Sequence, residues 1–184
     1  ELLSQVITRV QPDIIHFHHF IHYGVEAFEY IKHAHNIPCV LTLHEYIAIC
    51  HHNGLMVKNK SNKLCNVQSH AECHACFSHI SSAKFFLRKK LLTRMLCSCA
   101  HLLSPSEFLR QRYIEWGITP DHISCIKNLL PDALFTENSL QRNTNSHEEL
   151  RIGYFGQVNP FKGIHILLDA LHLLRTSFKP RIKL

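Results

Sequence analysis

The chain has 184 residues, 46% of them hydrophobic and 18% charged, a globular balance that suits one domain and part of a second. No apolar run approaches the ~20 residues needed to span a bilayer, which excludes a transmembrane helix from the sequence given. The net charge of +6 is compatible with phosphate-bearing ligands, nucleic acid or an anionic membrane, but the basic residues form no long tail, so charge alone selects none of them.

In chain order, Asp13 to His18 reads as a buried strand with a polar tip, and Pro12 precedes it where a missing N–H does no harm. Gly24 to His35 reads as a helix with Val25, Phe28, Ile31 and Ala34 near one face, closed by Asn36. Pro38 to Leu43 reads as a second strand, followed by His44, Glu45 and Tyr46. An irregular stretch, 49–79, holds four cysteines and little apolar periodicity. Ser81 to Ala100 reads as a long helix with Phe85, Leu92, Met95, Leu96 and Cys99 inward, and Lys84, Arg88, Lys89, Lys90 and Arg94 on its other face. A strand from His101 to Leu103 runs into Ser104–Pro105–Ser106–Glu107, a capping-box pattern that predicts a helix from about Pro105 to Trp116, with Gly117 closing it. Ile118 to Ile126 holds a turn and another strand.

The polar stretch 130–149 reads as an interdomain linker. A strand over Ile152 to Phe155 then meets Gly156, a polar loop, Lys162 and Gly163, and a helix with Ile164, Leu167, Leu168 and Leu171 on one face. Strands alternating with helices predict an α/β fold with a Rossmann-like parallel sheet. The expected domains are 1–129, with a Cys-rich insertion at 49–79, and 150–184, the start of a second Rossmann-like unit. A start at Glu1 and a stop at Leu184, where a new strand begins, read as a piece of a longer protein without a visible signal peptide.

Three groups of residues point to chemistry. The turn from Gly156 to Gly163 puts backbone N–H groups, a helix N-terminus and the Lys162 ammonium in one loop, a natural anion site; a plain βα turn with a solvated lysine is the alternative. His44 and Glu45 stand at the carboxyl end of a strand, where open α/β sheets bind ligands; a histidine capping its own loop is the alternative. His16, His18, His19 and His22 are dense, but His16 and His18 alone supply too few ligands for zinc, and cleft lining by His18 or His19 is the expected role. Cys50, Cys65, Cys73 and Cys76, the last two a C-x-x-C pair, have the composition of a structural zinc site, with His51, His52, His70 and His74 as substitutes; a flexible insertion with free thiols is the alternative. Cys39, Cys97, Cys99 and Cys125 fall in strand or helix patterns and read as core packing. The basic face of the 84–94 helix suits either solvent or an anionic membrane surface.

The segment FGQVNPFKGIHILLDAL resembles the first βα unit of the C-terminal domain of GT-B glycosyltransferases of family four. In that family an arginine and a lysine in this loop hold the donor diphosphate. Here the lysine position is Lys162 and the arginine position is Gln157, which can hydrogen-bond phosphate but brings no charge. DIIHFHHF, TLHEYIAIC, LLSPSEFLRQRYIEWGI and HISCIKN resemble successive segments of the family's N-terminal domain, except that Leu129 stands after Asn128 where glycine is common. The family's N-terminal glycine-rich loop and its later paired-glutamate motif are not in this sequence.

The resemblance implies a retaining transfer of a sugar from a nucleotide-sugar to an acceptor hydroxyl, the acceptor being a sugar or a lipid-linked molecule in polysaccharide or glycolipid synthesis. It implies His44 as the residue contacting the transferred sugar, Gly156, Gln157, Lys162 and Gly163 as donor-binding, and His18, His19, Glu45 and Ser106 as acceptor or cleft residues. It implies no catalytic metal and no nucleic-acid partner, a cytoplasmic location with peripheral contact at the inner membrane face, and no activity for this piece of chain by itself. The competing reading from another class is a zinc-stapled basic module for nucleic acid, but few aromatic or arginine residues flank the cysteines. A Rossmann oxidoreductase would want G-x-G-x-x-G after the first strand, which is absent.

Overall fold

The computed structural model describes residues 2–129, 149–177 and 181–183. The chain divides into two units, Glu1–Leu129 and Leu130–Leu184. The predicted linker, apart from Glu149, lies outside the described residues.

The first unit is built on four short parallel strands: β1 (Ile15–Phe17), β2 (Cys39–Thr42), β3 (His101–Ser104) and β4 (Ile123–Cys125), in the order β1-β2-β3-β4. The register aligns Phe17 with Leu41, Leu41 with Leu102 and Leu102 with Ile123. Four apolar side chains thus lie abreast, all of them buried. Neighbouring strands are all parallel, so every connection must cross back over the sheet, and helices supply the crossovers. The predicted α/β class with a parallel sheet is the architecture found.

Helix α1 (Leu2–Val10), which the sequence reading did not foresee, packs Ile7 into the core. Helix α2 (Ala27–Ala34) begins three residues later than the periodicity predicts, because Gly24 turns at φ +79° before it. Its Phe28 and Ile31 are fully buried, worth about 1.5–3 kcal/mol each. Asn36 takes the left-handed conformation, φ +53°, just beyond the helix end, as a closing Asn should. Helix α4 (Ser82–Leu96) is capped by the Ser81 hydroxyl, which accepts from the Lys84 N–H. It ends at Leu96 rather than continuing to Ala100, yet Phe85, Leu92, Met95, Leu96 and Cys99 are all buried as the pattern requires. Helix α5 (Glu107–Trp116) is capped by Ser106, not opened by Pro105: the Ser106 hydroxyl accepts from the Leu109 N–H at 3.2 Å, and the buried Ser104 hydroxyl donates to the Ser106 carbonyl. Helix α2 lies against β2 and α4, and α5 lies against β3 and β4.

Between β2 and α4 the cysteine segment is not wholly irregular. A two-residue antiparallel bridge joins Val57 to Leu64, and a short helix, α3 (His70–Cys76), is capped by Ser69. The basic face of α4 also differs from expectation. The Arg88 guanidinium turns inward and donates to the carbonyls of Ala48 (2.7 Å) and Ile47 (2.8 Å). Arg94 pairs with Glu29 of α2, whose carboxyl that bond holds below the usual range. Lys84 and Lys90 remain exposed.

The second unit pairs β5 (Glu149–Arg151) in parallel with β6 (Arg181–Lys183), with α6 (Ile164–Ser177) between them in sequence. The predicted strand at 152–155 is displaced three residues toward the N-terminus. Among the described residues strand pairing here covers 149–151, and Ile152 to Phe155 run on as loop. No helix among the described residues is long and apolar enough to cross a membrane.

Candidate functional site

Parallel strands present all their carboxyl ends on one edge, so the residues that follow β1 and β2 must meet there. His18 follows Phe17 and His44 follows Leu43, whose N–H extends the ladder by donating to the Leu103 carbonyl at 2.8 Å. Nδ1 of His18 lies 3.0 Å from Nε2 of His44, and the rings stack at 5.3 Å with an interplanar angle of 22°. One imidazole donates its proton and the other accepts it. Beside them, Nε2 of His19 lies 2.5 Å from Oε1 of Glu45. Nδ1 of His19 accepts from the Ile21 N–H, so the ring proton sits on Nε2 and faces the carboxylate. His16 stands one step down the strand, its Nε2 2.8 Å from the Thr42 hydroxyl and its ring 4.4 Å from that of His18. Burial first, then the His18 and His44 charges, holds the His16 pKa below its ordinary value.

His18, His19, His44 and Glu45, together with Phe20, Thr42 and Tyr113, line one cavity of ≈ 10 Å³ at this edge. The structure therefore gathers four of the expected cleft residues. His18 and His44 are exposed, which leaves them able to meet a hydroxyl or a phosphate. Ser106 does not line this cavity, and its hydroxyl is engaged in capping α5.

Two residues, Tyr113, which the sequence does not single out, and Arg88, which it places on a basic helix face, hold the loop after β2. The Tyr113 hydroxyl donates to the Glu45 carbonyl at 2.9 Å, and its complete burial pushes the phenol pKa far up, so the donor proton stays in place. Arg88 grips the next carbonyls, Ile47 and Ala48. Gly54 is required beneath the same loop. It has φ +72°, and a Cβ there would lie 2.9 Å from the Ile47 nitrogen. In the sequence Arg88 reads as one of the basic residues on the outer face of its helix, and nothing there marks Tyr113.

In the second unit, Gly156, Gln157, Lys162 and Gly163 sit in the loop between β5 and α6. Asn159 organises it: its Oδ1 accepts from the N–H groups of Phe161 (3.0 Å) and Lys162 (3.1 Å), opening a single 3₁₀ turn over Pro160–Lys162. Its Nδ2 donates to Gln157 Oε1 at 3.2 Å, and the Tyr154 hydroxyl donates to the Gln157 carbonyl at 3.0 Å. The Gln157 amide is thus oriented with its carbonyl oxygen committed to Asn159. Gly163 takes φ +73°, the left-handed step that joins the 3₁₀ turn to α6. Lys162 is exposed, and no hydrogen bond or ion pair of its ammonium appears among the described residues. Among the described residues no group of three or more His, Cys, Asp or Glu side chains is arranged to hold a metal ion as it stands.

The family model described as Glycosyltransferase Family 4 matches residues 1–132, which include the whole of the four-stranded sheet and the histidine edge. No curated protein matches the chain. A match over more than half of the sequence, on a Rossmann-like parallel sheet whose carboxyl edge carries the paired histidines, places this chain in glycosyltransferase family 4.

Proposed function

We propose that the chain takes part in transferring a sugar from a nucleotide-sugar to an acceptor hydroxyl with retention at the anomeric carbon, in polysaccharide or glycolipid synthesis. The observation that carries this reading is His44, held at the carboxyl end of β2 against His18 within the stretch that matches family 4. An imidazole whose partner ring shares its proton can donate to a sugar hydroxyl or accept from one without a change in net charge. His19 and Glu45 form the adjoining acceptor wall. Their contact keeps the carboxylate beside the ring and supplies an acceptor for a substrate hydroxyl.

The loop 156–163 is the donor-phosphate element of this reading. A lysine just before a helix N-terminus stabilises the charge that develops on a departing diphosphate. Gln157 contributes a neutral hydrogen bond from its amide N–H₂. The exposed Lys84 and Lys90 of α4 stand with exposed Phe86, Leu87 and Leu91. A face of that composition supports peripheral contact with an anionic membrane, which suits a lipid-linked acceptor on its inner face.

The test uses the full-length enzyme with a panel of nucleotide-sugars. Transfer is followed by product release, and the anomeric configuration is read by NMR. His44→Ala should lower kcat by about 10²-fold, the cost of losing one donor to a charge-developing group, and the product should keep the donor's anomeric configuration. Full turnover in His44→Ala, or an inverted product, would overturn the reading.

A further inference from the structure

We propose that Cys50, Cys65, Cys73 and Cys76 form a Cys₄ site for one structural zinc ion that folds the segment between β2 and α4. The four cysteines come from three separate pieces of chain. Cys50 ends the loop after β2, Cys65 follows the Val57–Leu64 bridge, and Cys73 and Cys76 lie one helical turn apart on α3. All four nevertheless line one cavity of ≈ 20 Å³. That is the space of about one water molecule or one ion.

Two N–H donors face the sulfurs. The Asn59 N–H donates to Cys76 Sγ at 3.1 Å, and the Gln68 amide donates to Cys73 Sγ at 3.5 Å. A neutral thiol is a weak acceptor, whereas a metal-bound thiolate is a strong one, so two N–H groups aimed at sulfur match the bound state better. Zinc carries two positive charges and four thiolates carry four negative ones, so the filled site bears a net −2. Lys58 lines the cavity, and the Arg88 charge reaches Cys50 and Cys73. Lys58 is paired with Glu72, which lines the same cavity, so Arg88 is the cation near the sulfurs that has no carboxylate partner among the described residues. Binding releases four thiol protons to solvent and oxidises nothing.

The segment also has little apolar core of its own. Between 51 and 80 only Gly54 and Met56 are buried, and α3 buries none of its residues. Segments with so small an apolar core need a staple, and all eight cysteines are free. Among the described residues the sulfurs are not closed to coordinating geometry; binding would require the cysteine side chains to rotate onto the ion. His51 lines the same cavity, whereas His52 and His74 are turned to the carbonyls of Val57 and Ile80, and neither they nor His70 line it. His52, His70 and His74 therefore leave the site to sulfur, while the His51 ring at its wall packs edge-on against Phe77 and Phe85.

The experiment is elemental analysis of the full-length protein, purified without chelator, followed by exchange of the metal for cobalt. About one zinc per chain is expected, together with the intense sulfur-to-cobalt absorption of a tetrahedral thiolate site. Four thiols should become reactive only after the metal is removed. Cys73→Ser and Cys76→Ser should each lose the metal, while Cys125→Ser should retain it. Absence of metal from the wild-type protein, four thiols reactive without chelator, or a Cys73–Cys76 disulfide would each overturn the proposal. The cobalt spectrum of the wild type decides the matter even if the variants fail to fold.

Discussion

Replacing Arg88 with methionine keeps the aliphatic stem and removes the fork that holds the Ile47 and Ala48 carbonyls. Ala48 is fully buried, so its carbonyl would lose its bond to Arg88 without gaining water. Hydrogen bonds to charged donors contribute about 1.5–3 kcal/mol each. Burial lowers the Arg88 pKa, and desolvating the cation offsets part of that gain. The net loss should be about 3 kcal/mol, or a fall in Tm of roughly 10 °C for a unit of this size. The assay is thermal unfolding followed by fluorescence of Trp116, the only tryptophan in the chain, which lies buried on α5 in the same unit. Arg88→Lys can satisfy one carbonyl and should recover about half of the loss. Arg94→Met, on the same helix but with a side chain 70% exposed, should leave the midpoint near wild type. A Tm for Arg88→Met no lower than that of Arg94→Met would refute the claim that Arg88 holds the loop.

Two further outcomes concern the other elements of the site. In the full-length enzyme, Lys162→Ala should reduce turnover by roughly 10²-fold and Gln157→Ala by less, since a neutral hydrogen bond is worth about 0.5–1.5 kcal/mol; steady-state kinetics decide, and a larger loss from Gln157→Ala would reverse the two roles. The lowered pKa of His16 makes stability fall with acidification: the unfolded chain takes up this proton near its ordinary pKa while the folded one resists it, so the contribution is complete above about pH 6.5 and is lost as pH drops toward the folded value. Unfolding midpoints measured from pH 7.5 to 5 should therefore decline less steeply in His16→Gln than in wild type, and parallel curves would remove His16 from that account.

The elements legible in the sequence were those whose cause is local. Apolar residues at helical spacing marked α4 and its buried face, because that periodicity is itself the packing surface. The apolar runs around Phe17, Leu41 and Leu102 marked strands buried in a parallel sheet. Boundaries moved where a local signal competed with another. Ser106, not Ser104, caps α5, since Ser104 is buried at the end of β3 and spends its hydroxyl on the Ser106 carbonyl. The strand expected at Ile152 to Phe155 failed for a non-local reason: apolar residues form a strand only where a neighbour offers hydrogen bonds, and β6 reaches only residues 149–151.

The same division applies to the site. His44 and Glu45 could be found because strand ends are visible in sequence and chemistry concentrates at them. Tyr113 and Arg88 could not, because a phenol 68 residues from its acceptor and a guanidinium about 40 residues from its own become partners only after folding. Yet these two hold the geometry. The loop from His44 to Cys50 begins with the candidate sugar-contacting histidine and ends with the first candidate zinc ligand. Between those ends its backbone is gripped by α5 at Glu45 and by α4 at Ile47 and Ala48, and closed by the Cys50 N–H donating to the Tyr46 carbonyl at 2.7 Å. A loop restrained at these points has little freedom of its own, so the place of His44 beside His18 depends on partners that lie far off in the sequence.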